Sequence, residues 1–289
     1  MYILSAVNVL PVRLFVCSEV DAASMNIRQK LLSLADWREE EPFEGRPSYS
    51  LKDVRMVTIG QEHLYRDDVD RDAEALFGER PQVVTYLSCH RSESERRSLT
   101  IHPIGNHRQA DFGGKPSTLV TSAPREMTGA LRALHEVAKG VGYAVSFEAT
   151  HHGPFLRAPT FIIEAGSDIG AWSDPLAGEK LAMALLRART AGGAVGIGVG
   201  GGHYMPRVTD VALSRDVCFG HMIPSYALSE MDEGVLERAL EQTPGVGFVY
   251  FHRKALAKPL LRRMEEWFVG RGIRVVREED LPALEGVGP

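Results

Sequence analysis

Short β-branched or aromatic runs alternate with longer stretches of helical periodicity along the whole chain, and this alternation most restricts what it can fold into. Parallel strands need a long crossover, usually a helix, so the pattern implies an α/β fold with a mostly parallel mixed sheet flanked by helices. Strands are expected at residues 13–18, 55–59, 82–87, 98–102, 143–149, 160–164, 194–199, 217–220, 246–251 and 273–277. Helices are expected at 23–34, 124–139, 176–190, 233–243 and 255–270. Asp21 is placed to cap the first helix with its carboxylate, and Pro124 opens the second. The charge-dense stretch 38–44 reads as a solvated connection.

The 289 residues are read as one α/β domain, with a boundary between two lobes near 115–123, where Gly, Pro and Ser cluster, as the alternative. A balance of 33 Lys and Arg against 38 Asp and Glu excludes the globally basic surface of a nonspecific nucleic-acid binder. Cys17, Cys89 and Cys218 lie far apart with no CxxC pair, which removes a disulfide framework and a thiolate zinc knuckle and fits a reducing cytoplasm. The apolar opening, residues 1–20, has no basic n-region and is interrupted by Pro11 and Arg13, so neither a signal peptide nor a membrane span is read there.

Chemistry collects at the strand ends. Seven of the ten histidines, His90, His102, His151, His152, His203, His221 and His252, fall at the C-terminal ends of expected strands. In an open parallel sheet those ends share one edge, where α/β proteins bind ligands. Strand alternation puts Ser98, Thr100 and His102 on one face, Thr160, Ile162 and Glu164 on one face, and Glu148 with Thr150. Neutral imidazole is a common zinc ligand, and a catalytic zinc needs three protein ligands plus an open position. Adjacent side chains on extended backbone point opposite ways, so His151 and His152 reach one metal only if the turn at Gly153-Pro154 redirects one of them.

Three other segments are weaker signals. GIGVGG formally matches GxGxxG through Gly196, Gly198 and Gly201, but its glycines run into His203-Tyr204-Met205-Pro206 and no acidic residue follows at the required distance, so a dinucleotide site is discounted. Instead, Gly200 to Gly202 offer backbone that a ligand can approach closely. Cys89 beside His90 reads as a buried cysteine, and Gly113-Gly114-Lys115-Pro116-Ser117 departs from a phosphate loop at Pro116. Between Arg253 and Arg277, eight basic residues stand against Glu265 and Glu266, a local charge suited to a phosphate backbone.

The motifs DAASMNI at 21–27, SCHRS at 88–92, LTIHPIGN at 99–106, FEATHHGP at 147–154, FIIEAGS at 161–167, GGGHYMP at 200–206 and GHMIPSY at 220–226 occur in this order. Together they resemble the archaeal and plant type of D-aminoacyl-tRNA deacylase along nearly the whole chain. Ala22 stands where that family usually has Pro, and residues 1–11 precede its usual first strand. The resemblance implies a cytoplasmic, zinc-containing enzyme with a core similar to peptidyl-tRNA hydrolase. Its substrate would be D-aminoacyl-tRNA, cleaved to free D-amino acid and tRNA, with no membrane association and no obligate protein partner.

Carried over by motif, His102, His151, His152, Glu164, His203 and His221 are candidate site residues, and the family pattern does not divide them by role. We take His102, His151, His152 and His203 as the catalytic candidates and His102, His152, Glu164, His203 and His221 as the metal candidates. Ser88, His90, Arg91, Asn106, Gly200, Gly201 and Tyr204 are the substrate-binding candidates, and Lys258, Arg262 and Arg263 the tRNA-binding ones. The expected mechanism is metal-assisted ester hydrolysis, or a structural metal with a histidine and the neighbouring ribose 2′-hydroxyl carrying the protons. Taken without the resemblance, the residues also leave open a tRNA-binding protein without catalysis and a zinc amidohydrolase acting on a small molecule.

Overall fold

The computed structural model describes residues 12–92, 96–228 and 231–285. The reading of the opening segment therefore lies, up to residue 11, outside the described residues. The first half of the chain forms β1 (Arg13–Ser18), α1 (Ala22–Leu34), β2 (Arg38–Phe43), β3 (Arg46–Leu51), β4 (Val54–Ile59), α2 (Val69–Phe77), β5 (Val83–Arg91), β6 (Ser98–Pro103), β7 (Gly105–Asn106), β8 (Thr118–Leu119) and α3 (Pro124–Val137). The second half forms β9 (Ala144–Phe147), β10 (Thr160–Ser167), α4 (Ile169–Trp172), α5 (Pro175–Arg187), β11 (Ala194–Val199), α6 (Pro206–Ser214), β12 (Val217–Ile223), α7 (Glu233–Glu241), β13 (Val246–Phe251), α8 (Lys258–Gly270) and β14 (Arg274–Val276).

Eight strands make the larger sheet, in the order β2-β3-β4-β1-β5-β10-β6-β9, and a second sheet runs β12-β11-β13-β14. The second is parallel throughout, whereas the larger is mixed: β4, β1, β5 and β10 are parallel, and β6 pairs antiparallel with β10. That corrects one premise of the sequence reading. Because β6 and its parallel neighbour β9 run against β10, the C-terminal ends of β5 and β6 point to opposite edges.

Alternation on the central strands separates two environments. On β5, Val83, Leu87 and Cys89 face α1, α3 and α5, joining a core that includes Ile27, Leu31, Met127, Leu134 and Leu181 and continues into Phe219 and Phe248 of the second sheet. Val84 and Tyr86 face the other way into an apolar layer with Val16, Val57 and Ile162. Burial on both faces explains why these strands read as near-continuous apolar runs. Ser88 and His90 continue the Val84–Tyr86 face beyond that layer, so polar chemistry begins where the apolar floor ends.

The Asp21 cap forms as expected, its Oδ1 accepting from the Ser24 amide at 3.0 Å, and Oδ2 accepts from the Cys89 amide at 3.0 Å, tying α1 to β5. Residues 38–44 are not a solvated connection: Arg38–Phe43 is an edge strand whose hairpin turns at Glu44 and Gly45, both at positive φ. Its outward charges are the protection that an edge strand carries, which is why it lacks an apolar signature. In β11 a Cβ on Gly196 would lie 2.2 Å from the Phe248 ring, so this glycine is explained by packing between parallel strands. The helix α6, unassigned in sequence, starts at Pro206 immediately after the Gly-His-Tyr-Met segment.

Candidate active site

Glu164 projects from the middle of β10, flanked in register by Ser88 on β5 and Thr100 on β6. His90 lies toward one end of its row and His102 toward the other, so the two imidazoles approach the same carboxylate from opposite directions. Glu164 Oε2 is 3.5 Å from His102 Nε2 and 3.6 Å from His90 Nδ1. The mixed sheet thus gathers the histidines over a face of the sheet, not along one edge.

Glu148, just past the end of β9, supplies a second carboxylate with no solvent exposure. Its Oε1 is 3.3 Å from His90 Nδ1, and its Oε2 is 3.1 Å from His203 Nε2 and 3.8 Å from His151 Nε2. His152 has φ of +27°, a left-handed backbone uncommon for any residue but glycine, and the following Gly153 is also at positive φ. This bend turns both rings to one side, with centroids 4.0 Å apart, and His102 stacks on His151 at 4.1 Å. The redirection required for the two to converge occurs at His152 itself.

Hydrogen bonding fixes several of these rings. His102 Nδ1–H donates to the Pro103 carbonyl at 3.1 Å and His151 Nδ1–H to the Ala149 carbonyl at 2.7 Å, leaving each Nε2 as the free nitrogen. Tyr204 Oη lies 3.1 Å from His90 Nε2, and the Trp172 indole N–H donates to the His90 carbonyl at 2.9 Å. Burial opposes charge on His102 and His90, but the Glu164 and Glu148 carboxylates outweigh it and raise both pKa values. Burial likewise opposes charge on Glu164, and the adjoining His102 and His90 outweigh it, holding that carboxyl well below its ordinary range. Burial, reinforced by neighbouring imidazoles, keeps His151 and His152 neutral.

Buried polar atoms are normally hydrogen-bonded, yet His102 Nε2, His152 Nδ1, Glu164 Oε2 and both oxygens of Glu148 have no directed partner. Their lone pairs converge without meeting. Three sets bring donor atoms within 4.8 Å of one another: His102, His151 and His152; His90, Glu148 and His203; and His102, Glu148 and Glu164. Imidazole and carboxylate donors at such spacing fit zinc or a similar divalent ion.

Of the sequence candidates, Ser88, His90, His102, His151, His152, Glu164, His203 and Tyr204 come together. His221 does not join them and is corrected as a metal candidate. Its Nε2–H donates to the Val120 carbonyl at 3.0 Å, and its Nδ1 accepts from the Thr150 hydroxyl at 3.0 Å, so both nitrogens are engaged beneath the His151 turn. Asn106 acts on a loop, its Nδ2 donating to the Gly113 carbonyl at 2.8 Å and to the Lys115 carbonyl at 3.3 Å. The Gly200 and Gly201 amides donate to the Ile223 carbonyl and to Ser225 Oγ, so they hold the loop's own shape. Arg91 lies over the Trp172 ring at the rim, while Lys258, Arg262 and Arg263 are exposed on α8. Two members went unnamed as site residues in sequence: Glu148, whose signal was a charged residue closing a buried strand, and His63, 3.3 Å from Ser88 Oγ. Cys89 is half-buried rather than buried, and burial pushes its thiol up, with Asp21 adding to the effect.

The family model described as D-aminoacyl-tRNA deacylase matches residues 77–276, which contain every histidine and carboxylate of this cluster except His63. The chain belongs to the D-aminoacyl-tRNA deacylase family. It is similar to the D-aminoacyl-tRNA deacylase of Methanosarcina mazei, 36% identical over 275 residues that cover 92% of each chain. A Thermococcus kodakarensis relative of that name is 38% identical, over 78% of this chain and 85% of its own. For the Methanococcoides burtonii relative of that name the identity is 37%, over 94% of this chain but 58% of the longer protein. The fold is that of a crystal structure described as a conserved protein of unknown function, AF0625, with a TM-score of 0.85 and 29% identity over 94% of this chain and 96% of that one. Among the described residues no helix is long and apolar enough to cross a membrane.

Proposed function

We propose that the chain hydrolyses the ester joining a D-amino acid to the 3′ end of tRNA, releasing free D-amino acid and reusable tRNA in the cytoplasm, where tRNA is charged. The observation that carries this reading is the placement of the orphaned imidazole and carboxylate atoms within the segment that matches the family. A binding protein has no use for five buried lone pairs aimed at common points.

His102, His151 and His152, or His102 with Glu148 and Glu164, would hold a zinc ion, and the bound ion would supply Lewis-acid polarisation and a water acidic enough to ionise near neutral pH. The protein's own groups then manage protons and position. Glu148 faces His203 Nε2 and holds this ring, 35% exposed, as the imidazole through which a proton passes between the buried carboxylates and solvent. His90, gripped at Nδ1 by the two carboxylates, accepts at Nε2 from Tyr204 and fixes that hydroxyl at the mouth of the site. Ser88 sits beneath, beside His63.

Selection against L-amino acids is assigned to the Gly200–Tyr204 segment, where backbone shaped by internal hydrogen bonds forms a wall that cannot adapt. Lys258, Arg262 and Arg263 contact the phosphate backbone. Incubation with D-tyrosyl-tRNA tests the reading. Release of D-tyrosine above the spontaneous rate is expected, and retention of the ester on bound tRNA would leave only a binding protein.

A further inference from the structure

Among the described residues, three Phe, Tyr or Trp side chains are strongly exposed: Tyr65 at 56%, Phe112 at 60% and Tyr226 at 62%. Exposed apolar residues scattered singly need no explanation. These three are not scattered. The Phe112 carbonyl accepts from the amide of Gly153, the residue after His152, at 3.3 Å. Tyr65 follows His63 by two residues, and its segment abuts the Phe112 loop so closely that a Cβ on Gly113 would lie 1.7 Å from the Leu64 carbonyl oxygen. On the other flank, Gly201 N–H donates to Ser225 Oγ at 3.0 Å and Ser225 N–H donates to the Gly201 carbonyl at 2.9 Å. That reciprocal pair locks Tyr226 beside the segment leading into His203.

The Phe112 loop is also built to keep its shape and carries a cation. Asn106 holds the carbonyls of Gly113 and Lys115, and the exposed Lys115 places its Nζ 3.6 Å over the Phe155 ring. Among the described residues Lys115 has no carboxylate partner. Aromatic faces interleaved with a free cation are the elements by which proteins hold single-stranded nucleic acid, because every base has a π-face and every linkage a charge.

We infer that Tyr65, Phe112 and Tyr226 are stacking platforms for the unpaired nucleotides at the 3′ end of tRNA, with Lys115 against a phosphodiester. The inference rests on the ester-hydrolase reading, which places the terminal ribose at the histidine cluster and therefore the last bases on its flanks. It makes Asn106 a positioning residue for the loop.

The test is the affinity of a labelled, uncharged ACCA tetranucleotide RNA, measured by fluorescence anisotropy. Tyr65→Leu, Phe112→Leu and Tyr226→Leu keep apolar bulk but lose the π-face, and exposed positions tolerate such changes with little effect on folding. Each is expected to weaken binding about tenfold. Tyr65→Phe, Phe112→Trp and Tyr226→Phe are expected to restore it, and KM for D-tyrosyl-tRNA is expected to rise in the Leu variants. Wild-type affinity in all three Leu variants, or no binding of the tetranucleotide by the wild type, would overturn the inference. A wild type that binds RNA through these rings but releases no D-tyrosine would overturn the hydrolase reading alone, whereas active enzyme with indifferent Leu variants would overturn the stacking alone.

Discussion

Glu148 Oε2 stands 3.1 Å from His203 Nε2, joining a carboxylate with no solvent exposure to an imidazole that is 35% exposed. A carboxylate so placed orients the ring, as the buried carboxylate of a catalytic triad orients its histidine. The same Glu148 reaches His90 through Oε1, so one side chain links the solvent-facing histidine to the buried pair His90 and Glu164.

The converging lone pairs predict a resident metal. Purified protein is expected to contain zinc by elemental analysis, and His102→Ala or Glu164→Gln to lower its content, since each removes an atom with no other partner. Chelation should abolish release of D-tyrosine and added zinc restore it. Full activity in metal-free protein would remove the metal from catalysis.

Acid sensitivity follows from two histidines outside the cluster. Burial lowers His221 to about 3 and His107 to about 4, from an ordinary value of 6.5. Between those values and 6.5 the unfolded chain binds protons that the folded chain refuses, so their contribution is complete above pH 6.5 and declines as pH falls toward 3 to 4. From pH 6.5 to 5 the loss is about 2 kcal/mol per group. Urea unfolding at pH 7.5 and pH 5.0 should show a smaller acid loss for His221→Gln than for wild type. Equal losses would show that His221 protonation is not what weakens the fold.

Gly201 has φ of +107°, and a Cβ there would lie 3.3 Å from His252 Nδ1 and 3.5 Å from Met205 Sδ. Gly201→Ala therefore displaces the wall that carries His203 and Tyr204. A shift near 1 Å costs about 10²-fold in rate, with tRNA affinity nearly retained. Single-turnover rates on D- and L-tyrosyl-tRNA test this, and normal D cleavage with normal L rejection would assign the loop to packing alone.

The basic residues of α8 predict a salt effect. Lys258 and Arg263 are exposed, while Arg262 is already 3.0 Å from Glu266. Replacing Lys258, Arg262 and Arg263 together by Gln should weaken tRNA binding broadly and reduce the slope of log affinity against log salt by about 1 for each lost contact. An unchanged salt titration would remove α8 from the tRNA surface.

Much of this was legible in the sequence because periodicity reports burial. Strands β1, β11 and β13 and the start of α1 fall where alternation and the Asp21 cap put them. What escaped were elements rich in charge, such as the edge strand Arg38–Phe43, which is mostly exposed, and the acidic helix Val69–Phe77, which buries only Val69, Asp70 and Ala73. The site was legible in its histidines and not in its geometry. Strand direction is a long-range property, so nothing local marked β6 as antiparallel to β10, and an edge was expected where a face is found. His221 looked like a ligand because a strand-end histidine looks the same whether its partners are a metal or Thr150 and Val120.

Glu148 offers the most direct measurement. Glu148→Gln keeps the side chain's size but removes the charge that faces His90, His151 and His203. The single-turnover rate of D-tyrosine release from saturating D-tyrosyl-tRNA is predicted to fall at least about 10²-fold, with the melting temperature and tRNA affinity close to wild type. A Glu148→Gln protein that releases D-tyrosine at the wild-type rate would contradict the assignment of this cluster as the hydrolytic site.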